Sequence, residues 1–174
     1  MRLAAHTVSL AVLAVCFAGT AAADEKPELL GSFRDWFVYQ VNTGADRLCY
    51  ALSEPKQTNP RNFTRESPYF MISTWPGRKV RNEPSIMPGY AYKEDGNVQV
   101  QVGSDKFDFF AKNEGSSGGA WMADRVLERK LIDAMKRGSA LSVTGISARG
   151  TLTRDNYSLS GISAALDKID ASCK

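Results

Sequence analysis

The sequence predicts a mainly β protein: a single-domain β-sandwich of about seven strands, with one amphipathic helix and a short C-terminal helix. Three observations carry that prediction. Short runs rich in aromatic and β-branched residues recur along the chain, turn residues separate them, and one segment alone holds a sustained helical apolar period.

The first 23 residues contain one basic residue besides His6, Arg2, and no acid. An apolar run over residues 8–18 and the small-residue stretch Gly19-Thr20-Ala21-Ala22-Ala23 follow. That order is the pattern of a secretory signal peptide, and the run is well short of the roughly 20 apolar residues that span a bilayer. Residues 1–23 therefore read as a cleaved signal and residues 24–174 as one exported domain, long enough to bury a substantial core. Cys16 lies in the apolar run and leaves with it. The whole chain carries 22 basic and 19 acidic residues, too small an excess to suggest nucleic acid as a partner. No later stretch is long enough to cross a membrane, which leaves peripheral envelope association open.

The strands fall in order over residues 33–41, 48–52, 69–75, 98–102, 106–110, 141–146 and 157–162. The strict alternation Val98-Gln99-Val100-Gln101-Val102, the turn Gly103-Ser104-Asp105 and the return through Phe107 and Phe109 form the clearest hairpin. Asp124 is placed to cap the helix. Leu127, Leu131, Ala134 and Met135 share its apolar stripe, Lys136 and Arg137 suit its C-terminal end, and Gly138 stops it. A second, shorter helix from about Ser163 aligns Leu166, Ile169 and Cys173, aiming the last cysteine at the protein body. Residues 54–67 and 76–88, rich in Pro, Asn, Arg and Glu, read as surface excursions, and residues 113–119 read as a Gly/Ser hinge before the helix.

The chemistry available is narrow. His6 is the only histidine, so residues 24–174 have none, and Ser-His-Asp or Cys-His catalysis lacks its usual base. No metal-ligand spacing and no cofactor motif is present. Cys49 and Cys173 remain in a chain bound for an oxidising compartment, and a disulfide between them is the expectation. Carboxylates such as Asp35, Glu54, Glu83 and Asp108 stand in no acid/base motif and read as solvated turn and edge residues.

One segment offers a partner surface. Trp75 is followed by Arg78, Lys79 and Arg81, an aromatic side chain adjoining a basic loop, the residue types that favour interface hot spots. Two readings stand: Trp75 turns inward to finish the core while the cations form a solvated turn, or the four residues bind an anionic surface or acidic partner.

Several landmarks recur in a known order: Gly31-x-Phe33-x-Asp35-Trp36-x-Val38, Cys49-x-Ala51-Leu52, Pro88-Gly89-Tyr90 and Ala134-Met135-Lys136-Arg137-Gly138. Ser147-Ala148-Arg149-Gly150-Thr151, Tyr157-Ser158-Leu159-Ser160-Gly161-Ile162 and the closing Cys173 continue the series. Together they resemble the invasion-associated locus B family of alphaproteobacteria over nearly all of residues 24–174. Members often carry a cysteine four residues after the opening tryptophan. Here that position is Gln40, which removes any local bridge to Cys49. The resemblance implies an exported protein, periplasmic, outer-envelope-associated or secreted, linked to host-cell invasion. It implies no catalytic residue, so the expected function is non-enzymatic binding of a protein or cell-surface partner. A periplasmic inhibitor or ligand-binding module and a carboxylate-based hydrolase are the alternatives.

Overall fold

The computed structural model describes residues 26–43 and 46–174; the signal-peptide expectation for residues 1–23 lies outside them. Eleven strands and two helices follow in order. The strands are β1 Glu28–Phe33, β2 Trp36–Thr43, β3 Asp46–Ser53, β4 Gln57–Asn59, β5 Tyr69–Trp75, β6 Val80–Met87, β7 Val98–Val102, β8 Asp105–Glu114, β9 Ser117–Trp121, β10 Ala140–Ile146 and β11 Leu152–Ser158. The helices are α1 Arg125–Arg137, between β9 and β10, and α2 Ile162–Ser172 after β11.

Mainly β holds, but the expected count of about seven strands is corrected to eleven. They form one antiparallel sheet in the order β1-β2-β3-β5-β6-β9-β8-β7-β10-β11-β4. Strand β8 makes it continuous. Asp105 to Phe109 pair with β7, whereas Phe110 to Glu114 pair with β9, so one strand changes partners at its midpoint. The two halves face each other across a shared core. Phe70 of β5 meets Tyr157 of β11 at 5.9 Å and Phe109 of β8 at 6.5 Å between ring centroids. The Trp36 indole N–H donates to the Ser158 carbonyl at 3.0 Å, joining β2 to β11.

The undercount has physical causes. Residues 33–41 are not one strand: Phe33 ends β1, and the chain turns at Arg34, whose φ is 57°, before Trp36 starts β2. Polar β4 has no apolar alternation and exists because its Gln57, Thr58 and Asn59 extend the β11 edge. The expected excursion over residues 76–88 contains β6, paired on both sides and buried at Pro84, Ser85 and Ile86. A proline is tolerated there because β9 pairs with β6 only at Ser85 and Ile86. The expected hinge over residues 113–119 is a β-hairpin, with Glu114 opposite Ser117.

The helices follow the sequence closely. The Asp124 carboxylate accepts from the Val126 and Leu127 N–H groups at 2.6 and 3.3 Å, satisfying donors that the helix start leaves free. Leu131, Ala134 and Met135 enter the core with Ile132, while Leu127 stays 39% exposed. Helix α2 buries Ile162, Ala165, Leu166 and Ile169. Its start requires glycine: Gly161 has φ 97°, and a side chain there would strike the Phe33 carbonyl. Cys173, just past α2, bonds to fully buried Cys49 of β3, with Cα atoms 6.0 Å apart and a sequence separation of 124.

Candidate functional site

The basic segment is shaped by a pinned turn. Strand β5 ends at Trp75, Pro76–Arg78 form one 3-10 turn, and β6 begins at Val80. Lys79 and Asn82 have φ of 54° and 53°, left-handed conformations that non-glycine residues adopt sparingly, and the β5/β6 register shifts between Ser73 and Trp75. Thr74 supports the shift by accepting from the Asn82 N–H at 3.1 Å. Asp46 holds the turn from β3, accepting from the Gly77 N–H at 3.2 Å. A Cβ at Gly77 would lie 2.6 Å from that carboxylate, so a larger residue there would have to displace the Asp46 side chain from its hydrogen bond.

Trp75 is half-buried, and the Arg78 guanidinium covers it at 4.1 Å from the ring centroid, with Nε 3.7 Å from Asp46. Lys79 and Arg81 lie elsewhere. They join Arg125, Arg129 and Lys136 of α1 along a groove of about 370 Å³, with Asn82, Glu128, Ile132 and Asp133 completing the lining. Two contacts fix its walls: Arg125 donates to the Lys79 carbonyl at 3.2 Å, and Arg81 pairs with Asp170 of α2 at 2.8 Å. The structure thus divides the four predicted residues. Trp75 and Arg78 form a stacked pair tied to Asp46, and Lys79 and Arg81 belong to the groove.

Five cations and two carboxylates line this groove. Burial raises the Glu128 carboxyl pKa, and neighbouring Glu83 adds to the rise, against the pull of Arg125 and Arg129. Glu128 and Asp133 are the two carboxylates set among these cations. An anionic group entering here meets cations from two elements.

Arg125, Arg129 and Lys136 are the contributors the sequence reading lacked. Their spacing of i, i+4 and i+11 is itself a signal, since it sets them along one helical stripe beside the apolar one. What it could not show is that Lys79 lies opposite.

A second polar cluster sits inside the protein. Arg65 forms a two-pronged ion pair with Asp155 of β11, one prong at 2.8 Å, and donates to the Pro88 carbonyl at 3.0 Å. Both side chains are at most 6% exposed, and the guanidinium lies near the Phe63 and Tyr90 rings. The Tyr90 hydroxyl shares a 2.6 Å hydrogen bond with Thr153. This cluster anchors residues 54–67 to the sheet and is closed to partners.

The fold is shared with a class of invasion-associated proteins. The crystal structure of invasion associated protein b from Bartonella henselae is similar, with a TM-score of 0.58 and 14% identity, covering 84% of this chain and 96% of that one. At that identity the likeness shows the fold alone. The chain belongs to the invasion-associated locus B family, whose model, described as Invasion associated locus B (IalB) protein, matches residues 36–170. No curated protein matches the chain.

Proposed function

We propose that this protein is an exported, non-enzymatic, envelope-associated member of the invasion-associated type that acts by binding a protein or cell-surface partner. The observation that carries the binding role is the groove between the Lys79 loop and α1, where Lys79, Arg81, Arg125, Arg129 and Lys136 converge. Its charge suits an acidic or otherwise anionic partner surface, which it would steer and orient. Export is supported by the signal-like residues 1–23 and by the Cys49–Cys173 disulfide, a bond that persists in oxidising compartments. Among the described residues no helix is long and apolar enough to cross a membrane, and the reading places the protein in the periplasm, on the outer envelope or outside the cell.

Cell fractionation with intact-mass analysis tests the export half. The expected product begins at Asp24, carries no free thiol and is recovered outside the cytoplasm. A full-length cytoplasmic chain with reduced cysteines would contradict the proposal. A ligand-binding module is a second reading that the concavity of the groove favours; a small anion co-purifying with the protein would support it.

A further inference from the structure

In an antiparallel sheet with one face on the core, the other face ordinarily presents polar side chains to water. The sheet of this protein departs from that rule across six strands. Register places Phe37, Leu52, Met71, Ser85, Trp121 and Phe110 directly opposite one another in a single row over β2, β3, β5, β6, β9 and β8. Directly opposed residues share a face. The adjacent row Val38, Ala51 and Ile72 is fully buried in the core, so the Phe37 row lies on the outer face. A second outer row runs Leu29, Tyr39, Tyr50, Ser73 and ends at Glu83, the one charged side chain in the two rows.

Among the described residues, the large side chains of these rows remain partly exposed. Leu29, Phe37 and Phe110 are 53, 37 and 50% exposed. Leu52, Met71, Trp121, Tyr39 and Tyr50 are half-buried; Tyr39 stacks on Tyr50 at 5.5 Å, and Phe110 lies 6.4 Å from Trp121. Both helices pack on the other side, since Cys173 bonds to inward-facing Cys49 and Leu131 and Met135 of α1 lie in the core.

We propose that this face binds the same face of a second copy of the chain, giving a homodimer by sheet-on-sheet packing. Three properties select that occupant. The rows are nearly free of charge, so an acidic or basic partner gains nothing there, whereas an equally apolar face does. Ser73 and Ser85, 7 and 5% exposed, lie low between Tyr50, Met71 and Trp121, giving ridges and a trough that a second copy can interdigitate. The two rows form the centre of an outer face that, taken over about six residues of each of the seven strands from β1 to β8, at about 4.8 Å spacing and about 3.3 Å rise per residue, spans roughly 700 Å² with Lys112 and Glu114 at its rim, close to the roughly 800 Å² per partner of a stable interface.

Sedimentation velocity of the mature, disulfide-bonded protein from about 1 to 100 μM tests the proposal, since interfaces of this size give micromolar or tighter dissociation constants. The expected result is a concentration-dependent dimer that Phe37→Glu/Phe110→Glu converts to monomer at every concentration, with the far-ultraviolet circular dichroism spectrum of the parent retained. Should that variant misfold, Trp121 provides an independent reading: in a Trp36→Phe/Trp75→Phe protein that keeps the parent's circular dichroism spectrum, its emission shifts to the blue as the concentration rises and the dimer forms. A parent that stays monomeric to 100 μM would overturn the proposal. So would a folded variant that still dimerises, or a monomer whose outer face is covered instead by detergent or oligosaccharide.

Discussion

Tyr92 and Tyr157 are almost fully buried, and neither hydroxyl meets a hydrogen-bond partner among the described residues. Burial first holds both pKa values well above the ordinary tyrosine range, with Tyr90 and Tyr157 next for Tyr92 and Asp155 next for Tyr157. A folded-state pKa raised above the unfolded value of about 10 gives stability that is complete below that pH and lost as pH rises past it. Two consequences are expected of Tyr92→Phe and Tyr157→Phe. Because an unpaired buried hydroxyl contributes nothing to offset its desolvation, each variant unfolds in urea within about 1 kcal/mol of the parent or above it. The double variant also resists alkaline unfolding to a higher pH. A loss well beyond 1 kcal/mol in either single variant would show that the hydroxyl is bonded. At this scale the sequence displays some residues and hides others. Asp124 is legible as a cap because its partners are two and three positions away. Arg65 and Asp155 are not, because 90 positions separate them and each alone looks like a surface charge.

Elements are legible where period and burial agree. Strands β7 and β8 alternate because one face meets the core, and their hairpin lies where the sequence puts it. Strand β6 escapes detection because Arg81, Asn82, Glu83 and Pro84 resemble a loop, and only the pairing of Val80, Glu83 and Pro84 with β5 draws the segment into the sheet. The outer rows through Phe37 and Tyr39 blur alternation further, since residues on both faces are apolar. Helix α2 depends most on a distant residue. Its end is joined to β3 by Cys49–Cys173, a closure across 124 positions. Cys49→Ser/Cys173→Ser is expected to cost about 2–5 kcal/mol, chiefly by freeing the unfolded chain. Hydrogen exchange should localise the native-state consequence: amides of α2 lose protection more than those of α1. Equal loss in both helices would show that the bond does not hold α2 locally.

At the scale of the whole molecule, a single sheet bends at β8 so that its halves share one core, and the basic loop after β5 comes to face α1. Composition could not reveal this arrangement, because the chain's near-balanced charge conceals a local excess of cations drawn from segments about 50 residues apart. The basic residues of one wall of the groove, Lys79 and Arg81, are legible in the sequence, but its second wall on α1 is not. The claim that this groove is the binding surface is tested most directly by co-sedimentation with isolated envelope membranes while NaCl is raised from about 20 to about 500 mM. The variant to compare is Lys79→Ser/Arg129→Ser/Lys136→Ser, which leaves the Arg81–Asp170 pair in place. The account predicts that the parent binds at low salt and is released at high salt, and that the variant, folded as the parent, binds at least about tenfold less at low salt, since each cation at an anionic surface is worth about 1 kcal/mol. Equal binding by parent and variant at low salt would contradict it.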